Sequence, residues 1–143
     1  MAAWTVPSVP GNERGALEQV AAAVQDLALP AARLERLKTA VAEAVANAIE
    51  HGNQNRAELP VALTVLVSAT ALCVRVTDQG GRPLPAPVVP DLGAKLAGRQ
   101  TPRGWGLFLI KDLVDDVHDH STESQHTIDL LLYREGSPQH HGQ

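Results

Sequence analysis

The sequence predicts a two-layer α/β sandwich: a mixed, mostly antiparallel sheet covered by helices on one face. Three observations predict it. Apolar residues recur at helical spacing in two stretches before residue 52. They alternate with period two in "LPVALTVLV" and "ALCVRVTD". The elements also come in the order strand, two helices, two strands, long loop, helix, strands.

"WTVPSVP" opens the chain as a short strand, and Pro7 and Pro10 confine it to a sheet edge. Asn12 is the expected N-cap of a helix reaching about Leu27, with Leu17, Val20, Val24 and Leu27 on one stripe. Pro30 suits the first turn of a second helix, which Gly52 ends. Leu34, Leu37, Val41, Ala44, Val45 and Ala48 form its apolar face. The two alternating runs make a hairpin around Ser68, Ala69 and Thr70. Residues 79–103 follow with Gly80, Gly81, Gly93, Gly98 and five prolines, an irregular stretch of a length that usually serves function. "GWGLFLIKDLVDDV" reads as a helix beginning near Gly104, and "TIDLLLYR" as the last strand. The expected organisation is one domain over 1–135 and a disordered tail over 136–143.

Composition narrows the function. The chain has 143 residues, 44% of them hydrophobic, with a formal net charge of −4. That balance opposes non-specific nucleic-acid binding, and 3% aromatic content opposes base-stacking platforms. No apolar run approaches the ~20 residues of a membrane span. The first residues lack a signal-peptide pattern, so a cytoplasmic location is expected. Cys73 stands alone and reads as a small apolar strand residue.

Three constellations bear chemistry. Glu43, Asn47 and His51 stand four residues apart on the polar side of the second helix. They are either a solvated face or a functional line; a mid-helix asparagine is a poor helix former. Ala40 and Ala44 beside them leave room for a ligand. Asp78 keeps the phase of Leu72, Val74 and Val76, so it points inward, as a turn cap or as an acceptor for a ligand amino group. Gly80 and Gly81 behind it permit close approach of a flat ring. In "RGWGLFLI", Gly104 and Gly106 precede a helix, where free N–H groups and the helix dipole favour phosphate. Neither the P-loop nor the dinucleotide fingerprint is present. His118, His120 and His126 suggest a metal site only weakly, because no third ligand at a known spacing joins them.

"EAVANAIEHG", "VTDQGG", a Pro/Gly-rich loop and "GWGLFLI", in that order, resemble the histidine-kinase-like (GHKL) ATPase superfamily. The wording is most similar to the anti-sigma-factor serine kinases, over residues 5–135. The resemblance implies ATP and Mg²⁺ as cofactors. It implies that Asn47 holds Mg²⁺ and that Glu43 is the catalytic base. His51, Asp78, Gly80, Gly81, Arg103, Gly104, Gly106 and Thr127 become nucleotide-binding residues, with Asp78 accepting from the adenine amino group. Arg82 stands where the family has a second box glycine, with Gly81 as the substitute. Residues 82–103 become the ATP lid. The implied partners are an anti-anti-sigma (STAS-type) protein carrying the acceptor serine, and a sigma factor. A homodimer is the family expectation, with no direct nucleic-acid or membrane partner. The alternative is a non-catalytic module that sequesters its partner in a nucleotide-dependent way. A two-component sensor kinase is disfavoured, since no phosphoacceptor helical hairpin is present.

Overall fold

The computed structural model describes residues 2–80 and 109–134. Its strands are β1 (Ala2–Pro7), β2 (Pro60–Val67), β3 (Ala71–Asp78), β4 (Asp116–Ser121) and β5 (His126–Tyr133). They form one sheet in the order β1-β2-β3-β5-β4. Every ladder among the described residues is antiparallel, so the mixed component of the expected sheet is not found there. Helices α1 (Asn12–Ala23) and α2 (Ala31–Asn47) pack against each other and cover one face.

Alternation sets which side chains face the helices. Val61, Leu63 and Val65 of β2 are buried, as are Leu72, Val74 and Val76 of β3 and Ile128, Leu130 and Leu132 of β5. They meet Leu37, Ala40, Val41, Ala44 and Val45 from α2 and Ala48 and Ile49 from the turn that follows it, with Ala16, Val20 and Val24 from the α1 region. Ala40 and Ala44 are therefore core residues, packed against the sheet, and leave no space for a ligand.

The helix ends differ from expectation for local reasons. Asn12 is the first helical residue, and its side-chain amide donates to the Pro7 carbonyl at 2.9 Å instead of capping. Gly11 is the N-cap, at φ 102°, a backbone conformation that glycine alone adopts freely. The Glu13 carboxylate accepts the Gly11 N–H at 2.9 Å. α1 stops at Ala23, before a single 3₁₀ turn (Gln25–Leu27) closed by Ala28 in the left-handed region. α2 begins at Ala31, so Pro30 is its N-cap and not a first-turn residue, and past Asn47 the chain continues as a π-helix over Ala48–Gly52. The Asn53 N–H reaches the Ala48 carbonyl at 2.8 Å to close that wide turn. Such single π turns recur at functional sites.

The helix expected to continue through "DLVDDV" is helical only to residue 113 among the described residues. Asp116 and Val117 already belong to β4, drawn into the sheet by pairing with Leu131 and Leu130. Arg33 of α2 ties this corner down, donating to Asp115 at 2.8 Å and to the Tyr133 carbonyl at 3.0 Å.

Candidate nucleotide site

The inward row of β3 ends in a carboxylate. Asp78 is 3% exposed, and its side chain lies against the terminal turn of α2. A Cβ placed on Gly52 would stand 2.3 Å from the Asp78 carboxyl carbon, and one on Gly80 would stand 2.6 Å from the Gly52 carbonyl oxygen. Three residues from two separate motifs thus share one spot. Gly52 ends a helix and also vacates the volume that the Asp78 carboxylate fills.

Asn53 holds this junction together. It is 1% exposed, and its Oδ1 accepts the Gln79 N–H at 2.7 Å. Its Nδ2 lies within reach of Ser8 Oγ at 2.8 Å and of the Leu59 and Pro60 carbonyls at 3.2 Å. One amide therefore links the end of α2 to the ends of β1, β2 and β3. Nothing in its spacing marks it in the sequence.

Asp78 keeps two partners of its own. Oδ1 accepts the Gly80 N–H at 2.8 Å, and Oδ2 accepts from His126 Nδ1 at 3.2 Å. His126 Nε2 in turn meets the Asp119 carboxylate. With one ring nitrogen facing each carboxyl group, the imidazole can donate to both when it carries both protons. Burial pulls the His126 pKa down, but the hydrogen bonds and charges of Asp78 and Asp119 outweigh it, and the net shift is upward. A raised folded value makes the histidine's contribution complete below the unfolded value of 6.5; it is lost as pH rises through the folded value. Urea unfolding from pH 6 upward should therefore show stability falling above pH 6.5. A His126→Leu variant should lack that loss.

Thr127 faces the other way. Register sets Asp78 opposite His126, and Thr127 opposite Thr77. The two threonine hydroxyls lie 3.0 Å apart on the outer face of the sheet, so Thr127 does not reach the Asp78 pocket. The side chain beside Asp78 is His126. The phase of His126 with Ile128, Leu130 and Leu132 was the sequence signal for it. His118 and His120 share the outer face, where His118 lies 3.1 Å from Asp116. The three histidines do not converge, and the described residues contain no cluster suited to a metal.

Upstream on α2, Glu43 is half-buried, and its pKa is raised, first by burial and then by the charge of Glu13. The Asn47 amide nitrogen is buried without a hydrogen-bond partner. A carboxamide can present either end by a half-turn, so this orphaned group suits an oxygen ligand for Mg²⁺. His51 lies in the π turn, 3.6 Å from Glu50. Gly81, Arg103, Gly104, Gly106, the 82–103 segment and the 136–143 tail lie outside the described residues. Burial and the charge of Asp129 push the Cys73 thiol up to about 11, which leaves it protonated and a poor nucleophile.

An antiparallel sheet under two helices, with a buried carboxylate where the long helix meets the third strand, defines an α/β sandwich. Residues 6–132 match the histidine kinase-like ATPase domain, and the chain belongs to that family. Membership implies binding of ATP. Among solved structures, the chain is similar to the RsbU and RsbW domains of Rv1364c from Mycobacterium tuberculosis. The identity is 17% and the TM-score 0.62, over 96% of this chain and 34% of that one. It is also similar to the histidine kinase domain of a blue-light activated histidine kinase from Erythrobacter litoralis. There the identity is 18% and the TM-score 0.50, over 82% and 60% of the two chains. These likenesses concern the fold, and this chain spans about a third of the first protein's length. No match is found among the curated proteins. Among the described residues, no helix is long and apolar enough to cross a membrane.

Proposed function

We propose that the chain is an ATP- and Mg²⁺-dependent protein serine kinase of the anti-sigma-factor type. Its substrate is a serine on an anti-anti-sigma (STAS-type) partner, and it works as a homodimer that also binds a sigma factor. The observation that carries this reading is the meeting of α2, bearing Glu43 and Asn47, with the buried Asp78 at the Gly52–Gly80 junction. Bound ATP would supply the phosphoryl group, and Mg²⁺ would neutralise its charge. Asn47 would hold the metal, and Asp78 would accept the adenine amino group. The Asp78 carboxylate has about four lone-pair sites, two of them used within the chain, so acceptor capacity remains. Glu43 would take the serine proton. The RsbW domain within the similar Mycobacterium tuberculosis chain supports the anti-sigma side of the reading.

Calorimetry with ATP, ADP and GTP is the first check. Adenine nucleotides should bind with Mg²⁺, and GTP should bind more weakly, because guanine places a carbonyl where Asp78 needs a donor. Asp78→Asn should weaken ATP binding by roughly 10- to 150-fold, the cost of losing a charged hydrogen bond. Equal ATP and GTP affinities would contradict the role of Asp78. Nucleotide-dependent partner binding without phosphorylation would leave the sequestering module in place of the kinase.

A further inference from the structure

Resting on the nucleotide reading above, we propose that His126, clamped between Asp119 and Asp78, is the positioning residue of the base site and sets its preference for adenine. His126 lies directly opposite Asp78 in the β3–β5 ladder, and both side chains are 4% exposed. Its second ring nitrogen is held by Asp119 of β4, whose side chain is 23% exposed. Gly52 abuts the Asp78 carboxyl carbon from the helix side. The carboxylate is therefore held at three points: Gly80 N–H on Oδ1, the imidazole on Oδ2, and helix backbone against its carbon.

This clamp has a consequence for recognition. A free carboxyl group can rotate, take up a proton and donate to a carbonyl, which is the edge that guanine or hypoxanthine presents. A carboxylate already engaged by the Gly80 N–H and the imidazole is fixed in orientation and turns acceptor lone pairs toward the base. It then welcomes an exocyclic amino group and rejects a carbonyl, since an unmatched buried polar group is costly. The upward shift of the His126 pKa agrees with this arrangement. Discrimination would thus be set by three residues from three strands, although Asp78 alone would touch the base.

The test measures ATP, GTP, ITP and inorganic tripolyphosphate binding to the wild-type protein and to His126→Leu and Asp119→Ala. Asp119 lies at the sheet edge, so its variant keeps the test open if His126→Leu fails to fold. Both variants should lose about tenfold in ATP affinity, as for one charged hydrogen bond. The ATP preference over ITP and GTP should shrink by a similar factor, while tripolyphosphate binding stays unchanged. A purely structural role would weaken all four ligands together, and that outcome overturns the proposal. In a ¹⁵N NMR titration, His126 should lose its second ring proton at a higher pH than an ordinary histidine in the wild type, and Asp119→Ala should move that titration to lower pH. Wild-type protein that binds no ATP would overturn the nucleotide reading itself, and the proposal with it. Wild-type protein that binds ATP, with variants of unchanged preference, overturns this proposal alone.

Discussion

Replacing Glu43 by glutamine should leave ATP affinity nearly intact and slow phosphoryl transfer to a partner serine by at least ~100-fold, within the usual range for removing a general base. Glu43 sits one helical turn, about 5–6 Å, before Asn47 on α2. That separation suits one residue to the metal and the other to the attacking hydroxyl. Its environment strengthens it as a base: burial raises its pKa first, and the nearby Glu13 charge raises it further. Glutamine keeps the shape and the packing but cannot take the proton. Single-turnover transfer of labelled phosphate to a partner, with ATP binding measured in parallel, separates the two effects. Asn47→Ala should behave differently and lose Mg²⁺-dependent binding, because the metal belongs to the bound ground state. A Glu43→Gln enzyme that transfers at the wild-type rate would remove Glu43 from the chemistry.

Gly52→Ala should be the most damaging single-methyl change among the described glycines. The added carbon would lie 2.3 Å from the Asp78 carboxyl carbon and 2.4 and 2.6 Å from its oxygens. The Asp78 carboxylate cannot yield easily, because Gly80 and His126 hold it. Gly52 cannot retreat easily either, since Asn53 next to it is fastened to three strand ends. Overpacking of this kind costs about 1–3 kcal/mol. If the clamp breaks instead, His126 loses a buried partner, which costs about 3–5 kcal/mol. Urea unfolding should show a loss in that range, and ATP affinity should fall at least about tenfold as Asp78 moves. Gly15→Ala provides the contrast. Gly15 lies within α1, where an added methyl would meet nothing within 4 Å, so alanine there should add about 0.5–1 kcal/mol. Equal stability of the two variants would refute the packing argument.

Much of the scaffold was legible because it obeys local periodicity. The helical spacing of Leu37, Val41 and Val45 and the alternation of Val61, Leu63 and Val65 report burial without knowledge of partners. The same rule turned Asp78 inward, because its phase continues that of Leu72, Val74 and Val76. The helix ends were less legible. Asn12 has the chemistry of a cap, yet the chain direction after Pro7 turned its amide back and left the capping position to Gly11. Asp116 and Val117 extend a helical pattern by composition, and pairing with β5 outweighed that local preference.

By itself, the sequence determined the order of elements, the buried rows and the inward aim of Asp78, because each depends on neighbours a few positions away. The tertiary structure decided what surrounds Asp78. His126 is 48 residues distant and meets it only through the β3–β5 register; a one-residue shift in that register would have presented Thr127 instead. Gly52 and Asn53 acquire their roles only where the widened end of α2 reaches the strand ends. Those contacts join segments far apart in the chain, and no local pattern encodes which side chains will fill the same few ångströms.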